Sequence, residues 1–251
     1  MNLEDLSRNN TLETEHQHEA GMVEISELEE PIKRIIGKIR DKIERGDYGI
    51  IIGDDASGRV PALILGGFIK KIAEHKKLLA PKTIFIPGGL NQSTDFTEKL
   101  KNHMIKYGFT AGKKVLIVTE AIESGSSLSK LVATLQSLKI DFDLTTIGVE
   151  LSKDLGYQEK RRKNLGENIV SGEYARTAGV VIRPTPLIYN RKITTGVYKY
   201  KGDLQSKTVK SANFLGNTLP EEKDLVQKNI NQSRKEINIL IDKLVSWYLS
   251  H

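Results

Sequence analysis

Four short apolar segments constrain the fold of this chain more than any other feature, and each of the first three is followed by a segment with apolar residues at helical spacing. The segments are 48–52, 82–86, 114–118 and 143–151. Their length and their β-branched residues are typical of buried strands, in which apolar and polar positions do not alternate. Strands of this kind that alternate with helices predict an α/β fold with a mostly parallel sheet flanked by helices.

Two further helices are predicted outside this alternation. Isoleucines at helical spacing over 32–43 follow the capping-box pattern Ser26-x-x-Glu29 and predict one helix that ends near Gly46. Apolar residues at the same spacing predict a long helix over 220–248. We expect both helices to flank the core and at least one to join a homodimer interface, because a long amphipathic helix buries its apolar face against a partner.

The distribution of charge separates the first residues from the rest of the chain. The 251 residues have a formal net charge of +6, yet residues 1–30 hold nine acidic residues and one basic residue. Residues 1–22 also lack apolar periodicity and are predicted to form a disordered acidic tail. An α/β domain is predicted over 23–190, followed by a C-terminal extension with a long helix over 191–251.

Composition and motifs exclude several classes of protein. The chain has no Cys, which excludes disulfide scaffolds, cysteine nucleophiles and thiolate metal sites. It has no apolar run of about 18 residues and no signal-peptide pattern at its start, so we expect a cytoplasmic protein without a membrane partner. Dinucleotide and P-loop nucleotide sites are disfavoured, because neither Gly-x-Gly-x-x-Gly nor Gly-Lys-Ser occurs after the first strand.

The loop after the third strand has the features of a phosphate site. Glu120 follows the strand, and Ser124, Gly125, Ser126 and Ser127 come directly before the next helix. Backbone N–H groups at a helix start form an anion site, glycine allows close approach, and serine hydroxyls donate to phosphate oxygens. With an acid placed to accept hydrogen bonds from sugar hydroxyls, this order predicts a ribose-5-phosphate site. The alternative is a serine-rich helix cap without a ligand.

The loop after the first strand, Gly53-Asp-Asp-Ala-Ser-Gly-Arg59, offers complementary groups. Arg59 presents a planar fork for a phosphate. Asp54 and Asp55 are candidate ligands of Mg²⁺, which prefers a few carboxylates together with phosphate oxygens. The alternative is a turn in which Asp55 or Ser57 caps the following helix. Because ligands of such sheets bind beyond the carboxyl ends of the strands, we expect the two loops to act together.

Together the two loops resemble those of type I phosphoribosyltransferases. The phosphoribosyl-pyrophosphate signature of that family consists of four apolar residues, two acids, a short spacer and Thr-Gly-x-Thr. Here the corresponding segments are Val115–Val118, Thr119-Glu120 and Ser124-Gly125-Ser126-Ser127. The resemblance covers residues 48–151 and departs from the family at Thr119, which stands in the place of the first acid.

The resemblance implies a role for each segment. It implies that Glu120 holds the ribose hydroxyls, that Glu120 and Arg59 are the catalytic residues, and that Mg²⁺ is the cofactor. The implied phosphate-binding residues are Ala121, Ile122, Glu123, Ser124, Gly125, Ser126 and Ser127. The implied pyrophosphate-binding residues are Asp55, Ala56, Ser57, Gly58 and Arg59, with Asp54 and Asp55 as metal ligands.

Three functions remain open at this point. The first is binding of phosphoribosyl pyrophosphate or a related sugar phosphate, with transfer of the phosphoribosyl group to a nitrogen acceptor if the protein is an enzyme. The second is a non-catalytic regulator that senses a sugar phosphate or a nucleotide, which Thr119 and the absence of a basic residue in 86–91 favour. The third is RNA binding by the basic run 160–163. It is disfavoured because aromatic residues, which stack on bases, make up only 6% of the chain.

Overall fold

A five-stranded sheet in which every strand pair is parallel forms the centre of the protein, in a computed structural model. The structure describes residues 25–54, 58–86, 95–122, 124–150, 155–166, 169–175, 197–198, 207–208 and 220–251. The predicted tail over 1–22 lies outside these residues. In the described part of the chain, no helix combines the length and the hydropathy needed to cross a membrane.

The strands and helices alternate along the chain from the first strand to the fifth. The strands of the main sheet are β1 (Tyr48–Asp54), β2 (Lys82–Ile86), β3 (Lys114–Ile122), β4 (Phe142–Glu150) and β5 (Ile169–Ala175). The helices are a 3-10 helix (Ile25–Leu28), α1 (Glu29–Lys38), α2 (Arg40–Arg45), α3 (Arg59–His75), α4 (Phe96–Lys106), α5 (Ser129–Ser137), α6 (Leu155–Leu165) and α7 (Pro220–Leu249). A separate antiparallel pair consists of β6 (Val197–Tyr198) and β7 (Lys207–Thr208).

Helices cover both faces of the main sheet. The first face packs against the 3-10 helix, α1, α2, α3 and α7, and the second against α4, α5 and the end of α6. Successive strand residues point to opposite faces, so Ile51 belongs to the first core and its neighbours Ile50 and Ile52 belong to the second. The prediction of a parallel α/β sheet flanked by helices is confirmed.

The C-terminal helix α7 packs on the chain's own first face. Its buried residues are Ile237, Leu240, Ile241, Leu244 and Tyr248. The Tyr248 ring meets the Phe68 ring of α3 edge-on, with 5.2 Å between centroids. Full burial of each large apolar side chain stabilises the fold by about 1.5–3 kcal/mol. The predicted stripe is therefore covered within the chain, as expected for a flanking helix, and homodimer formation stays a prediction.

An ion-pair cluster joins α1 to α7 on the first face. The Glu29 carboxylate lies 2.5 Å from Lys243 Nζ of α7 and 2.6 Å from Lys33 Nζ. Burial raises the pKa of Glu29, but the hydrogen bonds from Lys243 and Lys33 lower it by more, so that this pKa lies below its ordinary value.

We expect Glu29→Gln to lower the free energy of unfolding at pH 7, and this deficit to shrink as the pH falls below about 4.5, the ordinary pKa of a glutamic acid. Because the folded pKa is depressed, the stabilisation is complete above the unfolded pKa and is lost as the pH falls through the folded pKa. Urea unfolding of both proteins between pH 7 and pH 3 measures the difference. A deficit that stays constant over this range would contradict the assignment.

The N-terminal helix differs from the prediction of one continuous helix. It is divided at Ile39, whose N–H lies 3.1 Å from the carbonyl oxygen of Ile35 and 3.2 Å from that of Ile36. Ser26 lies in the 3-10 helix that precedes α1, and the residue directly before α1 is Leu28, which makes no capping bond with its side chain. The predicted end at Gly46 is confirmed.

Two elements after residue 152 were not predicted. Helix α6 has no apolar stripe, because four of its residues form the basic run 160–163. Strand β5 contains Gly and Glu, which are depleted in strands, yet it pairs with β4 from Ile169 onward. The apolar residues of 179–182, which come before Pro184, also predict a strand, and they lie outside the described residues.

Candidate functional site

The site lies where the strand order of the sheet reverses. The order is β2-β1-β3-β4-β5. After β1, the chain places β2 on one side of β1 and then β3 on the other side. Gly53 near the end of β1 is paired with Val118 of β3. In open α/β sheets, the crevice beyond the carboxyl ends at such a switch point is the place where ligands bind. The two loops singled out in the sequence thus begin on adjacent strands.

The loop after β1 folds back on both strands at Gly58. The Gly58 N–H donates to the carbonyl oxygen of Asp54, with a distance of 2.6 Å. A Cβ at this position would lie 2.2 Å from the carbonyl oxygen of Val118 and 2.7 Å from the Asp54 nitrogen. Backbone atoms surround Gly58, so only glycine fits there. The predicted caps Asp55 and Ser57 lie outside the described residues, and Gly58 itself precedes α3 without a side-chain cap.

Two polar side chains meet between the ends of β1 and β3. Asp54 and Thr119 are 4% and 1% exposed, and Thr119 Oγ1 lies 3.5 Å from Asp54 Oδ2, a long hydrogen bond. A carboxylate is buried only where other groups compensate the loss of water. Thr119 stands where the phosphoribosyltransferase signature has its first acid. Its hydroxyl contacts Asp54, an acid of the neighbouring strand.

Strand β3 is longer than predicted and includes Glu120. The prediction ended it at Val118, whereas its pairing with β4 continues to Ile122. Glu120 is 4% exposed, and its carbonyl oxygen accepts a hydrogen bond from the Thr146 hydroxyl of β4 at 3.1 Å. Because strand residues alternate, Glu120 shares its face with Val118, which packs in the core beneath α3.

The loop after β3 has the compact form of a helix start. Gly125 has a φ of 72°, and its carbonyl oxygen accepts hydrogen bonds from the N–H groups of Leu128 and Ser129, each at 3.1 Å. The hydroxyls of Ser124 and Ser126 lie 2.9 Å apart. Ser126 and Ser127 are exposed, so both can reach a ligand. The predicted cradle therefore has accessible hydroxyls and a left-handed glycine at its first turn.

Helix α6 holds this loop in place, which sequence reasoning missed. Asn164 Nδ2 donates to the carbonyl oxygen of Ser124 at 3.0 Å. A Cβ on Gly125 would lie 2.4 Å from Leu165 Cδ1, so the last turn of α6 packs directly on the glycine. The sequence signal for the end of α6 was the pair Leu165-Gly166, since a glycine after the last apolar residue is typical of a helix end. In the structure, Gly166 has a φ of 77°.

Arg59 begins α3 and lies over strand β2. Its guanidinium carbon is 4.2 Å from the centre of the Phe85 ring, a cation–π contact. The side chain is half-buried, at the same edge of the sheet as Asp54. The phosphate fork predicted for Arg59 is thus held on an aromatic platform beside the first loop.

The described residues form a partial set of the predicted site. The structure places Asp54 beside Thr119 and Gly58 beside Val118 at the ends of β1 and β3, and Glu120 lies on β3 before the serine loop. Of the predicted loop residues, Ala121 is exposed and Ile122 is buried in the second core. Asp55, Ala56, Ser57 and Glu123 lie outside the described residues. Within the residues that are described, no group of three or more His, Asp or Glu side chains forms a metal cluster.

Comparison with known proteins finds similar chains among solved structures. No protein-family model matches the chain, and no curated protein matches it. Among solved structures, the chain is similar to a purine phosphoribosyltransferase from Pyrococcus horikoshii Ot3, with 13% sequence identity and a TM-score of 0.28. The similarity covers 58% of this chain and 80% of that one. The α/β assignment accordingly rests on the strand order and the two-faced core.

Proposed function

We propose that this protein binds a ribose-5-phosphate ligand, such as phosphoribosyl pyrophosphate, at the carboxyl ends of β1 and β3. The observation that carries the proposal is the close approach of Gly58, at the end of the first loop, to the carbonyl oxygen of Val118 on β3. Gly58 of the first loop packs against the backbone of Val118, only a few residues before the serine loop. One ligand can therefore contact both loops at once.

Each part of the site suits one part of the ligand. The N–H groups and hydroxyls of 124–127 would bind the 5′-phosphate, since the start of α5 adds partial positive charge there. Glu120 would accept hydrogen bonds from the ribose hydroxyls, and Arg59 would bind the pyrophosphate. Asp54 fits Mg²⁺, because a carboxylate beside phosphate oxygens supplies the hard ligands that this ion prefers.

Turnover would transfer the phosphoribosyl group to a nitrogen acceptor. The C1′–O bond would break with its electron pair leaving on pyrophosphate, a C1′–N bond would form, and the nitrogen would lose its proton. Catalysis of this kind rests on positioning and on stabilisation of the leaving group's charge. A non-catalytic sensor of sugar phosphates is the second candidate, and the contact between Thr119 and Asp54 favours it. A hydroxyl there removes one of the two charges that the signature provides.

Calorimetric titration with phosphoribosyl pyrophosphate and Mg²⁺ tests the proposal. Saturable binding followed by pyrophosphate release in the presence of a nitrogen base would identify a transferase. Binding without release from any base of a panel would identify the sensor. Failure to bind phosphoribosyl pyrophosphate, ribose 5-phosphate or a nucleoside monophosphate would overturn both.

We expect Glu120→Gln to weaken binding of ribose 5-phosphate by about tenfold to a hundredfold while binding of inorganic phosphate stays unchanged. Hydrogen bonds to a charged group contribute about 1.5–3 kcal/mol, and inorganic phosphate lacks the ribose hydroxyls that this carboxylate would accept from. Calorimetry with each ligand measures both affinities, and the thermal midpoint serves as the folding control. An equal loss for the two ligands would show that Glu120 supports the fold instead.

A further inference from the structure

A groove of about 470 Å³ lies at the amino ends of β3 and β4, on the edge of the sheet opposite the proposed phosphate site. It is formed by the ends of α4 and α5 together with the segments that lead into the two strands. Residues of both helices and both segments line it, among them Lys101, Met104, Ile105, Phe109, Lys139 and Ile140. Its volume falls within the range of small-molecule sites.

The interior of the groove is apolar. Met104 is buried in the second core, and Phe109 and Ile140 pack against that core while remaining partly exposed. Ile105 is 56% exposed and adds to the accessible apolar surface of the groove. An apolar body that entered the groove would therefore remove accessible hydrocarbon surface from water on several sides.

The rim of the groove is basic. Lys101 and Lys139 are exposed, and among the described residues neither ammonium group forms a hydrogen bond or an ion pair. The third lysine, Lys113, donates to the carbonyl oxygen of Gly46 at 2.6 Å. The single acid, Asp141, is paired with Lys114 at 3.3 Å and has an 80% exposed side chain. The rim thus has two lysines without an ion-pair partner in the part of the chain that the structure describes.

One of these lysines occupies a backbone conformation that favours glycine. Lys139 has a φ of 54° and closes α5, with the N–H of Ile140 bonded to the carbonyl oxygen of Leu135 at 3.0 Å. Glycine is the usual residue at this position of a helix end, because a side chain is strained in the left-handed conformation. A strained residue that also places a charge at a groove is a reason to look for a function.

We infer that the groove binds a small amphipathic anion, an organic carboxylate whose hydrocarbon body contacts Phe109, Ile105 and Ile140. The carboxylate group meets the ammonium groups of Lys101 and Lys139. An apolar wall beneath two unpaired cations matches such a molecule in both shape and charge, whereas a neutral hydrocarbon would leave the rim unused. This site is separate from the phosphate site, and each can exist without the other.

Calorimetric titration with decanoate, with decan-1-ol as the uncharged analogue, tests the inference. We expect decanoate to bind saturably with one site per chain, and decan-1-ol to bind at least tenfold more weakly. Lys139→Gly fits the backbone and removes one charge, and Lys101→Ala removes the other. Each is expected to weaken decanoate about threefold, and both together about tenfold, in line with the strength of exposed ion pairs.

The removal of a groove lysine and the replacement of the exposed groove isoleucine each have a matched control elsewhere in the chain. Lys77→Gly removes a lysine with a φ of 58° from the equivalent position after α3, which packs on the other face of the sheet. Ile105→Gln removes the apolar wall, and Ile239→Gln changes an isoleucine that is 58% exposed on α7. We expect the two control variants, Lys77→Gly and Ile239→Gln, to bind decanoate like the unchanged protein.

Loss of decanoate binding in the groove variants, with binding kept in the controls, would establish the site. Equal effects in groove and control variants would show unspecific association and overturn it. Equal affinity for decanoate and decan-1-ol, or absence of binding, would overturn it as well. Thermal unfolding of each variant verifies that it is folded.

Discussion

Gly58→Ala is expected to lower the free energy of unfolding by about 3 kcal/mol, because overpacking against rigid neighbours costs this much. For a chain of this length, the thermal midpoint should fall by about 6–12 °C. The φ of Gly58 is −77°, a value open to any residue, so the effect is purely steric. The added methyl group would meet the backbone oxygen of Val118, which cannot turn aside as a side chain does. Calorimetric scanning measures the midpoint.

Gly37→Ala is the matched control for this prediction. Gly37 lies in α1, and a Cβ there would meet nothing within 4 Å. Alanine in a helix interior is more favourable than glycine, so we expect stability to rise by about 0.5–1 kcal/mol. If Gly58→Ala left the midpoint unchanged, the first loop would not lie against β3, and the proposed site would lose its basis.

Gly125→Ala is expected to abolish binding of inorganic phosphate and ribose 5-phosphate and to destabilise the fold by about 2–4 kcal/mol. The left-handed conformation of Gly125 disfavours a side chain, and the Cβ would lie 2.4 Å from Leu165 Cδ1 and 2.6 Å from its Cγ. Leu165 and the last turn of α6 must then move, and the serine loop moves with them. Calorimetric titration and urea unfolding measure the two effects.

Two further variants separate the cost of the left-handed conformation from the cost of the clash with Leu165. Gly108 has a φ of 87° and an open environment, so Gly108→Ala should show the conformational cost alone, about 1–2 kcal/mol. Leu165→Ala removes the obstacle. In a double-mutant cycle, we expect Gly125→Ala and Leu165→Ala together to cost at least about 1 kcal/mol less than their sum, because contacting residues couple. Strict additivity would show that α6 does not press on the loop.

The central part of the fold was predictable because its signals are local. Each buried strand from β1 to β4 appears in the sequence as a short apolar run, since both faces of a parallel strand are covered. The stripe of α7 was equally clear, because five buried side chains recur at helical spacing. What a stripe does not reveal is its partner. The surface that covers α7 is the chain's own α3, more than 150 residues earlier.

The elements that were missed depend on contacts between distant residues. Helix α6 is predominantly polar, and its last turn packs on the core through Leu165. Strand β3 continues past Val118 because β4 lies beside it and pairs with it. The sequence of residues 119–122 does not predict this pairing. Likewise, the division at Ile39 leaves the isoleucine spacing intact, since Ile39 and Ile43 are both buried.

The candidate site was predictable as a set of loops and not as a set of contacts. The sequence placed an acid and a serine loop after β3, and the structure places both at the switch point. The contact of Asp54 with Thr119 arises from the pairing of β1 with β3, and the hydrogen bond from Asn164 arises from the path of α6. Neither partner stands near the other in the chain, so spacing carries no sign of them.

The packing of α7 on the first face has a consequence for the order in which the two cores form during synthesis. The buried residues of the second core that the structure describes end at Leu165, whereas those of the first core extend to Tyr248 of α7. A chain still attached to the ribosome therefore leaves Phe68, on which Tyr248 packs, uncovered by α7 for the time needed to add about 80 more residues, some 4–16 s at ordinary rates of synthesis. During that interval the unfinished face is open to chaperones and to other nascent chains.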